Sequence, residues 1–140
     1  MPYKFEQLEV WQLALEYVDL IYALVEKLPR SEEFNLKSQI VRAETSISLN
    51  IAEGSTGQTD AEQARFLGMA IRSLIETVAC QQLIRRRGYL SDDDLLKQAY
   101  EQSQVLARKL HAFRRSLGST GKRIQEQTAD YMTEDALSAE

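Results

Sequence analysis

The chain has 140 residues, 44% hydrophobic and 27% charged, with one cysteine and a formal net charge of −4. This is the composition of one ordinary globular domain, and it excludes collagen-like, disordered and disulfide-stapled classes. With 6 Gly and 2 Pro there are too few turn residues for an all-β fold, which needs a turn every ~8–12 residues.

The first predicted helix runs from about Phe5 to Leu28 and stops at Pro29. Leu8, Trp11, Leu15, Val18, Tyr22 and Val25 recur at alternating three- and four-residue steps, the signature of a helix packed along a bundle. A second apolar row lies beside the first: Leu13, Tyr17, Leu20 or Ile21, Leu24 and Leu28. The polar face is narrow and mostly acidic: Glu9, Gln12, Glu16, Asp19 and Glu26. A surface helix of a monomer needs only one apolar face. The surplus on this helix has to be covered by something.

The second predicted helix spans about Asn35 to Glu53, with Asn35 as N-cap and Gly54 as the C-terminal stop. Its core positions are Leu36, Ile40, Ala43, Ile47 and Ile51. Val41, Thr45, Ser48 and Ala52 form a row of short side chains that lets a neighbouring helix come close. Gln39, Arg42, Ser46, Asn50 and Glu53 form a polar row. A buried arginine must be paired, and Glu53 lies ~16 Å of helix rise from Arg42. Arg42 is therefore expected to find a carboxylate on another helix or another chain. The expected role of the row is to hold helices and subunits in register.

After a loop from Gly54 to Thr59, the third helix opens on Thr59-Asp60-Ala61-Glu62, a capping-box pattern. It continues through Ala64, Leu67, Ile71, Leu74 and Val78 to Arg87, and Gly88 ends it. The fourth is announced by Ser91-Asp92-Asp93-Asp94, with Ser91 as the expected cap and three acids facing the helix dipole. Its stripe is Leu96, Ala99, Ser103, Leu106, Leu110, Phe113 and Leu117. Short linkers force antiparallel neighbours, so the expected fold is an all-α, up-down-up-down four-helix bundle over residues 1–117. Residues 118–140 are polar and read as a flexible tail, with a short helix conceivable near Arg123 to Met132.

Several short motifs resemble the four helix bundle protein family, also called the 23S rRNA intervening-sequence protein family. They are Leu8-Glu9-Val10-Trp11-Gln12-Leu13-Ala14 in the first helix, and Ser38-Gln39-Ile40-Val41-Arg42-Ala43, Ser46-Ile47 and Asn50-Ile51-Ala52-Glu53-Gly54 in the second. Arg65-Phe66-Leu67, Ser73-Leu74 and Gly88-Tyr89-Leu90-Ser91 extend the likeness over about residues 3–117. The resemblance implies a left-turning bundle that assembles as a ring, typically a homopentamer, without implying an enzyme. Trp11, Gln39, Arg42, Ser46, Asn50, Glu53 and Gly54 are then structural and interface positions. Some members are encoded inside ribosomal RNA genes. The related accessory variability protein of retroelements works with a reverse transcriptase and RNA. That makes nucleic acid a conceivable partner.

The remaining chemistry is sparse. His111 is the only histidine, which rules out a two-histidine metal site within one chain. It is expected at a surface or interface. Cys80 is read as a small core residue. No catalytic group, cofactor or metal is expected. Arg85, Arg86 and Arg87 close the third helix and Arg114 and Arg115 the fourth, where cations complement the dipole. The same arginines are the candidate nucleic-acid contacts, weak in view of the acidic balance. The N-terminal MPYKFEQLEVW has no apolar signal core, and no apolar run is long enough to span a membrane. The expectation is a cytoplasmic scaffold or adaptor built from copies of itself, with a protein partner and without a membrane. The alternative is an RNA- or DNA-binding accessory protein.

Overall fold

The computed structural model describes residues 3–57 and 59–118. The expected tail beyond Gly118, with its conceivable helix, lies outside the described residues. Four α-helices follow one another: α1 (Glu9–Val25), α2 (Leu36–Gly54), α3 (Asp60–Arg87) and α4 (Asp94–Arg115). Each packs on its neighbours in sequence, and α4 closes the bundle against α1. The all-α four-helix bundle is therefore present, and among the described residues there is no strand. No helix among them is long and apolar enough to cross a membrane.

The apolar stripes meet at the centre. Tyr17, Ile21 and Leu24 of α1, Ile40, Ile47 and Ile51 of α2, Leu67, Ile71 and Ile84 of α3, and Leu106 and Leu110 of α4 are fully buried. Each such side chain removed from water contributes about 1.5–3 kcal/mol, and this burial holds the bundle together.

The helix ends differ from expectation in instructive ways. The first helix is interrupted. A 3-10 turn at Lys4–Gln7 precedes α1, and its Phe5 ring meets the Trp11 ring edge-on at 4.7 Å. Asn35 makes no side-chain cap to α2. Instead, Glu32 accepts from the Leu36 backbone N–H at 3.3 Å and from Asn35 Nδ2 at 3.0 Å. Glu32 also accepts from the Tyr89 hydroxyl at 2.5 Å, which ties the start of α2 to the α3–α4 turn. These donors, Tyr89 first, hold the Glu32 carboxyl below its usual range. Thr59 caps α3 as expected, accepting from Glu62 N–H at 3.1 Å. Ser91 does not cap α4. Asp92 accepts from the Asp94 N–H at 3.0 Å, and the helix starts two residues later than a Ser91 cap would place it. Gly88 adopts a left-handed φ of 69° at the end of α3, the conformation glycine reaches without a Cβ penalty.

Gly54 has another reason to be glycine. It is the last residue of α2 and is buried. A Cβ built there would sit 2.9 Å from Cβ of Phe66 on α3. Close approach of two helices, rather than a left-handed stop, requires glycine here. Gly54→Ala is expected to lower stability by about 1–3 kcal/mol, the usual cost of overpacking. A thermal melt of the variant measures it, and an unchanged midpoint contradicts the close-approach account.

Candidate functional site

The polar row of α2 divides into an inner and an outer part. Asn50 and Ser46 are half-buried on the flank facing α3. Asn50 Nδ2 donates to the Ser46 carbonyl at 2.8 Å and to Ser46 Oγ at 3.0 Å. Ser73 Oγ of α3 donates to Ser46 Oγ at 2.9 Å. Asn50, Ser46 and Ser73 thus form a hydrogen-bonded clasp along the α2–α3 seam. Gln39, Arg42 and Glu53 are exposed. Arg42 is exposed rather than enclosed by α1 and α3, the two helices that pack on α2. Of the partners expected for it, a carboxylate from another chain is the one this fold leaves room for. Trp11 is half-buried against Phe5.

The arginine clusters are equally divided. Arg85, Arg86, Arg87 and Arg115 are exposed. Arg85 is paired with Asp93 at 3.2 Å, and Arg87 Nε donates to the Tyr89 hydroxyl at 3.3 Å. Arg114 is completely buried, so it is removed from the set of accessible basic contacts. It lies one turn from His111, whose Nδ1 is 3.4 Å from an Arg114 guanidinium nitrogen. His111 is buried too within the single chain, so of the surface or interface position expected for it the open surface is excluded. Burial first, then the charges of Arg114 and Arg115, push its pKa down to about 4. At neutral pH it is an uncharged imidazole.

A model of the 23S rRNA-intervening sequence protein family matches residues 6–112, which include α1, α2 and α3 in full and most of α4. The chain belongs to that family. It is also similar to a protein of unknown function from the S23 ribosomal protein family of Bacteroides thetaiotaomicron, whose crystal structure is solved. The two are 27% identical, with a TM-score of 0.68 over 74% of this chain and 96% of the other. No curated protein sequence matches the chain.

In this intervening-sequence family member the most unusual chemistry lies inside the bundle, at residues the sequence reading passed over. Tyr17 of α1 crosses the core to α3. Its hydroxyl lies 2.7 Å from Thr77 Oγ1 and accepts from Gln81 Nε2 at 2.6 Å. Thr77 spends its only hydroxyl proton on the Leu74 carbonyl, at 2.6 Å. The direction is thereby set: Gln81 donates to Tyr17, Tyr17 to Thr77, and Thr77 to the backbone. Burial drives the Tyr17 phenol far above its usual range, so it stays a proton donor at any ordinary pH.

Glu44 is the second surprise. It is 3% exposed and has no hydrogen-bond or ion-pair partner among the described residues. Burial raises its carboxyl to about 7. One turn on, Ser48 Oγ is buried without a partner as well. The signal for Glu44 was available: it falls one turn after Ile40 and one turn before Ile47, on the flank of the core stripe. Cys80 is buried as expected, and burial raises its thiol pKa, which makes it a poor nucleophile. Among the described residues no group of three His, Cys, Asp or Glu is placed to hold a metal ion.

Proposed function

We propose that this protein is a non-catalytic subunit of a homo-oligomer, five copies favoured, that serves as a scaffold or adaptor. The observation that carries this reading is the outer edge of α1. Leu15 and Tyr22 are 40% and 47% exposed, and both belong to the regularly spaced row that includes half-buried Trp11 and Val18. A row of large apolar side chains at helical spacing on one surface is what a partner helix covers. The interior chemistry supports the same reading. Its hydrogen bonds join helices, its cysteine is buried and its histidine is buried and neutral. Light scattering at micromolar concentration is expected to give a mass several times 16 kDa. A monomer under those conditions ends the scaffold reading.

The alternative, an RNA- or DNA-binding accessory role, draws on the exposed arginines of α3 and on the family's link to ribosomal RNA genes. It has weaker support. Arg85 is already paired with Asp93, and the chain is acidic overall. Any binding through Arg85, Arg86, Arg87 or Arg115 is expected to be non-specific and lost by about 200 mM salt, as phosphate contacts are. A tight, sequence-selective complex that survives that salt in a filter-binding assay reverses the order of the two readings.

A further inference from the structure

The bundle has two opposite outer faces of unlike character. Helices α2 and α4 each pack on both α1 and α3, so α1 and α3 are diagonal and present their outer faces on opposite sides. The outer row of α1 is Gln12, Glu16, Asp19 and Glu26, all exposed, and it runs beside the exposed Leu15 and Tyr22. The outer row of α3 is Arg65, Arg72, Glu76, Leu83 and Arg86, again all exposed and recurring at helical spacing. Leu83 is 54% exposed. One face is acidic with an apolar edge, and the other is mainly basic with an apolar residue near its end.

The two faces also match in height. In the up-down-up-down bundle α1 and α3 run in the same direction, so equal residue steps keep level at 1.5 Å each. The hydrogen bonds of Tyr17 set it level with Thr77 to Gln81. Counting on from there places Tyr22 near Leu83, and Glu26 near Arg86. The ion pairs Glu9–Lys109 and Arg85–Asp93 give a second route through the antiparallel α4. Lys109 then lies level with Met69, and Tyr22 comes out beside Gln82. The two routes agree to within a helical turn.

We propose that the α1 face of one copy docks on the α3 face of the next, with Tyr22 against Leu83 and Glu26 against Arg86. This rests on the homo-oligomer reading and names the surfaces that build it. A rotation about an axis parallel to the helices carries one copy onto the next without changing any residue's height, so the level pairs meet. Tyr22 with Leu83 and Glu26 with Arg86 favour the contact, and Glu16 near Glu76 is the one like-charge pair that opposes it. The contact joins unlike faces, so it is heterologous, and it closes a ring where each copy is turned relative to the last by a fraction of a full rotation. An isologous contact between two α1 faces is disfavoured, because it sets Glu16, Asp19 and Glu26 against a second set of acids, and like-charge juxtaposition suppresses such pairings.

The test is a set of exposed substitutions followed by sedimentation at graded concentration, with helical circular dichroism as the check on folding. Glu26→Arg and Arg86→Glu are each expected to raise the dissociation midpoint of the oligomer at least ~10-fold. The chain carrying both is expected to return to within ~3-fold of the parent, because the reversed charges pair again. Leu83→Glu is expected to dissociate the assembly outright. An oligomeric parent whose assembly is untouched by Arg86→Glu and Leu83→Glu overturns the α1–α3 contact while leaving the homo-oligomer reading in place. Single reversals that dissociate without rescue in the double variant overturn the Glu26–Arg86 pairing. A parent that is itself a monomer at micromolar concentration removes both.

Discussion

Tyr17→Phe is expected to lower the stability of the bundle by about 2–3 kcal/mol, although it removes one atom. The hydroxyl stands in the middle of a directed chain from Gln81 to the Leu74 carbonyl. Without it, an N–H of Gln81 and a lone pair of Thr77 lose their partner. Gln81 is 3% exposed and Thr77 not at all, so water does not readily replace the bond. An unsatisfied buried group costs ~1–3 kcal/mol, and two are created here. Urea unfolding of the variant gives the value from the shift in midpoint at constant slope. A loss below ~0.5 kcal/mol would show that the side chains rearrange to pair with each other.

Glu44→Gln is expected to have the opposite sign, and its effect should depend on pH. Burial raises the Glu44 carboxyl from the usual 4.5 to about 7, so the folded chain holds that proton more tightly than the unfolded one. The stability due to this group is complete below pH ~4.5 and declines as pH rises to ~7, where it levels off. The full span corresponds to no more than about 3 kcal/mol. Relaxation of the surroundings and water penetration on ionisation reduce it to about 1–2 kcal/mol. Glutamine keeps the shape and carries no charge, so the variant should match the parent near pH 4.5 and exceed it at pH 8. Melts across that range compare the two. A variant less stable than the parent at pH 8 would mean that the ionised carboxylate is held by a partner, which in an assembled protein would come from another copy.

Much of this architecture is readable one helix at a time. The alternation of three- and four-residue steps in α4, the Thr59 cap and the Gly88 stop are local signals. They depend on residues within a turn or two of each other, and they found their counterparts in the structure. The equally regular row of α1 instead lies mostly at the outer edge, with Tyr17, Ile21 and Leu24 of the second row in the core. Local signals are weaker where two candidates compete. Asn35 and Ser91 are good capping residues by type, but Glu32 and Asp92 do the capping. The winner was decided by where the preceding turn places a carboxylate.

The site residues show the same boundary more sharply. Periodicity places Arg42 and Glu44 on one helix but does not say how wide an arc of α2 its neighbours cover. That arc extends past the stripe of Ile40, Ala43, Ile47 and Ile51 to take in Glu44 and Ser48, while Arg42 falls on the open side. Arg114 looks like a cation serving the dipole of α4, one residue from the exposed Arg115, and only packing separates the two. The directed chain from Gln81 through Tyr17 to Thr77 joins positions sixty residues or more apart, beyond the reach of any pattern within a helix. Four helices, their order and their stops follow from the chain's own periodicity and turn residues, because these act over a few residues. Which polar groups are enclosed and which stay exposed follows from how those helices meet, because burial belongs to the assembled bundle and not to any one strip of sequence.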